Sequence, residues 1–298
     1  MRFFTKPDHD FIGWRKRAFL FSAVLIGAGL ISLAIHGGPE LSIDFRGGVL
    51  VQVKFDRQVT TEDVRSSLDK IGYGDVEIQR FASGDEFIIR GPYEPDEDVS
   101  GDMIAAIRRD MAGADVDVRR VELVGPKIGS ELAKRAALAV GIALLAILIY
   151  IAWRFEFRFA VAAVVTLLHD VLVTLGLFSL TGREISLAVI AAFLTIVGYS
   201  LNDTIVVFDR IREDLRKYHR KRYEEVVNAS INETLSRTVI TSLTTLVVIL
   251  FLFFMGGEVL RDFSFALLIG VLVGTYSSIF VASPILVEWN RKSPAKRR

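Results

Sequence analysis

The chain has no cysteine, which excludes a disulfide framework and any thiolate metal site. Histidine is scarce too: His9, His36, His169 and His219 lie far apart, which argues against an imidazole cluster holding a metal. No stretch reads G-x-x-x-x-G-K-[ST], so nothing supports ATP as a direct fuel. No histidine falls between His36 and His169, and no Gly-x-Ser-x-Gly elbow occurs, so no catalytic constellation is in sight. The chain therefore reads as a non-enzyme with no cofactor. A formal net charge of only +1 argues against a nucleic-acid partner, which would call for a strongly basic face.

What the sequence has in excess is apolar residues, 51% of 298, beside a charged fraction of 24%. A soluble chain of this length must cover its surface with polar groups and rarely averages so apolar. The two classes must therefore be segregated, and they are. Phe19–Ile35, Ala136–Trp153, Thr238–Met255 and Phe263–Val287 carry no formal charge. Phe159–Leu180 and Ile185–Phe208 are equally apolar but contain His169, Asp170, Asn202 and Asp203. Each run approaches or exceeds the roughly 20 residues that cross a bilayer core, which predicts six transmembrane helices.

Basic residues orient these spans. Arg15, Lys16 and Arg17 precede the first, and Arg154 and Arg158 separate the second from the third. Seven cations from Arg210 to Arg222 separate the fourth from the fifth, and Arg291 to Arg298 close the chain. The opposite loops hold only Arg183 and Arg261. Both termini are thus expected in the cytoplasm. The expected layout is a cytoplasmic N-terminus at 1–18, a first span at 19–36 and an extracytoplasmic domain at 37–131. A five-helix bundle at 132–289, with a basic cytoplasmic helix near 209–232, and a basic tail at 290–298 complete it. The basic start, apolar run and Ser32-Leu33-Ala34 would also fit a cleaved leader, though the leader and run are long for one.

The external region reads strand, helix, strand, strand, helix, strand. Leu41–Phe55 is β-rich apart from Gly47-Gly48, and Thr60 or Thr61 can cap a helix running to Ile71. Val76–Phe81 and Glu86–Arg90 flank the turn signal Ser83-Gly84-Asp85. Asp96–Met111 is helical in character, and Val116–Val124 alternates. This β-α-β-β-α-β order matches an α+β ferredoxin-like domain, an architecture that hosts many functions.

An ionisable residue at bilayer depth costs about 2.5–3.5 kcal/mol on insertion scales, so it needs a partner or a purpose. Asp203 interrupts an apolar span, with Thr195 and Tyr199 at helical spacing, Asn202 beside it and Gly198 open to a neighbouring helix. Its natural counter-charge is Arg237, which heads the stripe Arg237, Thr241, Thr245. A structural hydrogen-bond role for Asp203, with Arg237 snorkelling, is the plainer alternative. For His169-Asp170, fixing helix packing competes evenly with a functional role. Asp209 reads as a plain membrane-edge charge. The stripe Ala266, Gly270, Gly274, Ser278, Ala282 is small at every fourth position and reads as a packing face. Ile211–Tyr223 fits a helix on the inner membrane surface or a solvated loop helix.

Three stretches carry a resemblance. Ile43-Asp44-Phe45-Arg46-Gly47-Gly48 is similar to a D-F-x-G-G motif, Val197–Glu213 (VGYSLNDTIVVFDRIRE) to a fourth-span signature, and Ser236-Arg237-Thr238 with Thr241-Ser242 to a fifth-span start. Together they resemble the SecF branch of the SecD/SecF family of bacterial protein-export membrane proteins, within the resistance-nodulation-division superfamily. The resemblance covers nearly the whole chain. It implies a six-span half that pairs with a SecD half beside the SecYEG channel and YajC in the inner membrane. Such a half uses the proton-motive force to promote late steps of preprotein export, among membrane lipids and without nucleic acid. It implies proton-coupling roles for Asp203 and Arg237. The other readings are a non-energised assembly subunit and one half of a proton-coupled small-molecule exporter.

Overall fold

The computed structural model describes residues 8–80, 85–111 and 113–293. Phe81 and the Ser83-Gly84 part of the expected turn lie outside the described residues, as do Lys296, Arg297 and Arg298 of the basic tail. The chain divides into two compact units, one built from Leu41–Leu138 and the other from the residues on either side.

The smaller unit follows the order expected from its sequence: β1 (Gly48–Phe55), α3 (Thr61–Asp69), β2 (Glu77–Arg80), β3 (Glu86–Gly91), α4 (Val99–Asp110) and β4 (Val116–Val124). The four strands form one antiparallel sheet in the order β2-β3-β1-β4. Val49, Val51, Val53, Phe55, Phe87 and Ile89 alternate onto one face and bury against Val64, Leu68, Met103 and Ile107 of the two helices. Each large side chain so buried stabilises the unit by about 1.5–3 kcal/mol.

Capping residues fix where the helices start. The Thr60 hydroxyl accepts from the Asp63 N–H while Asp63 Oδ2 accepts from the Thr60 N–H at 3.0 Å, a capping box. The Thr60 hydroxyl and then its N–H hold the Asp63 carboxyl below its ordinary value of 3.8. Asp98 starts α4 in the same way. Its carboxyl accepts from the Gly101 N–H at 3.0 Å and from Ser100, and is likewise lowered.

One expectation fails at the entrance to this unit. Leu41–Phe55 is not one β-rich run, because Ile43–Arg46 forms a short helix, α2, capped by Ser42. The chain leaves it through Gly47 at φ 76° and Gly48 at φ 127°. A Cβ on Gly47 would sit 3.1 Å from the Pro126 Cα, and one on Gly48 2.9 Å from the Gly91 carbonyl oxygen. The glycine pair therefore serves a tight crossing beside both β3 and the end of β4, which no L side chain fits.

The larger unit holds the helices α1 (Arg15–Ile35), α6 (Phe157–Leu180), α7 (Leu187–Lys217), α8 (Tyr223–Met255) and α9 (Gly257–Ser277). α5 (Pro126–Arg154) is a single helix that runs from the smaller unit into the larger one. After α9, a π turn at Ser278–Ala282 leads into α10 (Ser283–Lys292). Pro284 explains the turn: it has no N–H to return to the preceding helical turn, and the Ser283 hydroxyl bonds the Ser278 carbonyl at 3.0 Å instead. Among the described residues, six helices are long and apolar enough to cross a membrane. α6, α7 and α9 with α10 are about half buried, whereas α1, α5 and α8 are mostly exposed, so the first three form the centre. Phe155, Phe159 and Phe208 interlock there, two of them edge to face at 5.2 Å.

The small-residue stripe of α9 packs as expected. Gly270 lies against Ile196, and Gly274 lies where a Cβ would come 3.0 Å from the Ser200 side chain. The basic helix expected near 209–232 does not exist as a separate element. α7 continues to Lys217, and α8 begins at Tyr223 after a short break. The physical reason is that Ile211, Asp214, Val226 and Val227 are buried, so both halves of that segment extend packed spans.

Candidate functional site

Among the described residues three carboxylates of the bundle are buried, Asp170, Asp203 and Asp214, and the surroundings of the first two differ sharply. Asp170 on α6 is 1% exposed and both of its carboxylate oxygens are hydrogen-bonded. Its Oδ2 accepts from the Ser200 hydroxyl of α7 and from the Ser277 hydroxyl of α9 at 2.8 Å. Its Oδ1 meets His169 Nδ1 at 2.8 Å. The other imidazole nitrogen, Nε2, meets the Ser22 hydroxyl of α1 at 2.9 Å, and Ser22 contacts the Tyr276 hydroxyl at 3.1 Å. One carboxylate thus ties four helices together. A buried polar network satisfied so completely fixes packing.

Asp203 on α7 is 3% exposed, yet among the described residues it has a single long hydrogen bond, from the Ser242 hydroxyl of α8 at 3.5 Å. Ser242 divides itself further, contacting the Thr275 hydroxyl of α9 at 2.7 Å and receiving the Tyr199 hydroxyl at 3.4 Å. A buried carboxylate can accept about four hydrogen bonds, so most of the capacity of Asp203 is unused. Such under-satisfaction is costly in a low-dielectric interior and marks functional groups.

The structure does not bring Arg237 into an ion pair with Asp203. Arg237 is exposed, as are Thr241 and Asn202, while Thr245 is half-buried. Thr241 donates only to carbonyls of its own helix, those of Arg237 at 3.0 Å and Thr238 at 2.9 Å. The physical reason is angular. Successive residues on a helix are ~100° apart, so the stripe Arg237, Thr241, Thr245 turns outward while Thr238 and Ser242 face Asp203's side. On α7, Tyr199 does reach the Asp203 cluster through Ser242, but Thr195 is exposed and bonds the Ala191 carbonyl. Gly198 is also exposed, and a Cβ there would meet nothing within 4 Å among the described residues. Among the described residues no helix packs against it.

Asp209, expected as a plain edge charge, receives two hydrogen bonds from Arg154 Nη2 at 2.7 and 2.9 Å, tying α7 to the end of α5. The domain-entry residues Asp44, Phe45, Gly47 and Gly48 lie at the α2–β1 junction. Sequence reasoning passed over Ser22, Thr275, Tyr276 and Ser277, and Ser200 stood in the fourth-span signature without a role of its own. Ser242 stood in the fifth-span motif, where a shift of one residue in the stripe would have pointed to it.

The family model for the protein-export membrane protein SecD/SecF, C-terminal, matches residues 103–292, and that for the SecD/SecF GG motif matches residues 32–59. The chain belongs to the SecD/SecF family. The protein translocase subunit SecF of Desulfurispirillum indicum is 49% identical, over 97% of this chain and 93% of its own. That of Rhodothermus marinus is 47% identical, over 100% and 98%. Among solved structures, SecDF from Thermus thermophilus, described as a translocon-associated membrane protein, matches with a TM-score of 0.86 at 40% identity. The match covers 96% of this chain and 39% of that one, so the chain spans about two fifths of the length of that relative. The family's GG motif contains Gly47 and Gly48, whose backbone angles and crowding give it a physical reason.

Proposed function

We propose that the chain is an accessory subunit of the Sec translocase, driven by the proton-motive force, that promotes late steps of preprotein export across the bacterial inner membrane. The observation that carries the proposal is Asp203, a buried and under-satisfied carboxylate in the fourth apolar helix of a SecD/SecF family member. In this reading, Asp203 takes up a proton and releases it. Arg237 is its counter-charge in a state of the bundle in which α8 has turned inward. Asn202 and Thr241 belong to the same moving surface. One charge crossing 100 mV yields about 2.3 kcal/mol, enough to bias a two-state rearrangement but not to make it irreversible.

The exposed polar residues of α7 and α8 support a companion. Thr195, Asn202, Arg237 and Thr241 are costly against lipid tails, so a second helical bundle covering them is favoured. The SecD half fits that place, with the SecYEG channel, YajC, membrane lipids and the emerging preprotein as further partners. Both termini lie in the cytoplasm in this reading, which puts the Leu41–Leu138 unit in the periplasm. Its strand order β2-β3-β1-β4 supports a ferredoxin-like domain. Rearrangement in the bundle reaches that domain through α1 and α5, the helices that flank it in the chain.

The filled network around Asp170 favours a structural role for that second carboxylate, and it sustains the alternative of an assembly subunit for the molecule as a whole. Export in inverted membrane vesicles separates the readings. Vesicles depleted of this chain and then reconstituted with it are compared with and without a proton gradient. Restoration of a gradient-stimulated component supports the motor reading; restoration of gradient-independent export alone supports assembly.

A further inference from the structure

Asp203 is not the only carboxylate to which α8 presents a hydroxyl. Ser230, Thr234, Thr238 and Ser242 recur at every fourth position along one face of α8, and all four are buried. Carboxylates of α7 close both ends of this row. Ser242 donates to Asp203 at 3.5 Å, and Ser230 donates to Asp214 at 2.8 Å. At ~1.5 Å per residue, the step from 203 to 214 along α7 and that from 230 to 242 along α8 each cover about 16–18 Å. The two bonds therefore set one register in which the hydroxyl row runs from the middle of the bundle to the α7–α8 connection. Between the carboxylates α7 contributes buried Val207 and Ile211, with Thr204 buried next to Asp203 in the chain.

Hydroxyls at four-residue spacing often do no more than bond their own helix. Thr234 does so, donating to the Ser230 carbonyl at 3.0 Å. Thr238 does not. Its Oγ1 is buried with no hydrogen-bond partner among the described residues, and so are Thr204 Oγ1 and Asp214 Oδ1. Buried polar atoms left without protein partners are where internal water binds, provided several such atoms converge. At the α7–α8 connection the row meets a charged mouth. Arg210 lies 3.2 Å from Asp214 Oδ2 and also pairs with Glu213 and Glu233.

We propose that the α7–α8 seam is the inner half of a proton path, leading from Asp203 past Thr204, Thr238 and Thr234 to Asp214. This rests on the reading of Asp203 as the residue that takes up the proton. The O–H bond of the Asp203 carboxylic acid breaks and its proton goes to a water held by Thr204 and Thr238. That water passes a different proton inward through further water along the row, and the Asp214 carboxylate receives one and releases it to bulk water beside Arg210 and Glu233. Asp203 is left as carboxylate, and each hydroxyl and water ends as it began.

The test uses the full chain with its SecD companion in inverted vesicles, and reads the ratio of export with a gradient to export without one. The variants are the double Thr204→Val/Thr238→Val, which keeps shape and removes two hydroxyls, Asp214→Asn, and Asp203→Asn as reference. The expected result is loss of gradient stimulation in all three, with stimulation kept in Thr238→Ser. Stimulation at the wild-type level in the double valine variant, with loss in Asp203→Asn, overturns the path and leaves the Asp203 reading intact. Stimulation kept in Asp203→Asn overturns both. Should the double variant fail to accumulate, Thr238→Ser against Thr238→Ala decides, and equal stimulation in the two overturns the path.

Discussion

Gly29 of α1 and Gly176 of α6 meet backbone to backbone: a Cβ built on Gly176 would stand 2.7 Å from the Gly29 Cα. This close approach lets the Ser32 and Ser179 hydroxyls bond at 2.8 Å, and lets Ser22 reach His169. At Gly27, two residues before Gly29, a methyl would meet nothing within 4 Å among the described residues. Gly29→Ala and Gly176→Ala are therefore expected to force the two helices apart and lower the melting temperature in detergent. Gly27→Ala should leave it unchanged. Equal behaviour of the three variants would contradict the packing argument.

The two membrane carboxylates should separate in a stability measurement. Asp170→Ala removes the acceptor of two serine hydroxyls and a histidine inside the bundle, at an expected cost of about 3–5 kcal/mol. Asp203→Asn removes far less, because Asp203 holds one long bond. Thermal unfolding of the purified variants, followed by helical circular dichroism, reads the difference. A strongly destabilised Asp170→Ala and an Asp203→Asn close to wild type are the expected pair of results.

Much of this was legible in the sequence, for a physical reason. Apolar runs long enough to span a bilayer and the alternation of Val116–Val124 are local signals, and the six long apolar helices and the order of elements along the smaller unit follow from such signals. Thr60, with Thr61 as the alternative, likewise marked a helix start. What failed depended on rotation about a helix axis. Whether Thr241 or Ser242 faces Asp203 is a matter of ~100°, and uncharged runs give no marker to fix it. Ser200, Ser277 and Tyr276 were hidden because serine and tyrosine are ordinary in an apolar span until a carboxylate on another helix points at them. Asp44-Phe45 was read as strand because only the glycine angles reveal the turn.

The glycine pair at the entrance to the smaller unit gives a third prediction. Gly47→Ala and Gly48→Ala place a methyl against Pro126 and the Gly91 carbonyl, at backbone angles that L residues rarely adopt. Limited proteolysis of the membrane-embedded protein should cut the Leu41–Leu138 unit faster in both variants. Unchanged cleavage would mean that the crossing tolerates a side chain and that the pair needs another explanation.

Acid should loosen the same unit from its helix starts. Asp63 and Asp98 have lowered values in the folded state, so their caps contribute fully above the ordinary 3.8 and are lost as pH falls through the folded values below it. Hydrogen exchange of the first turns of α3 and α4 should accelerate below pH 3.8 in the wild type. In Thr60→Ala the Asp63 carboxyl loses its main partner, and the acceleration at α3 should begin at higher pH while α4 stays as before.

The central claim is that Asp203 couples the proton gradient to export, and one comparison tests it most directly. Preprotein export is measured in inverted vesicles carrying wild type or Asp203→Asn, with and without a proton gradient. Asparagine keeps the volume and the bond from Ser242 but cannot titrate. The account predicts a variant that assembles normally and exports equally with and without the gradient. Gradient stimulation equal to wild type in that variant would contradict it and leave Asp203 as a packing residue.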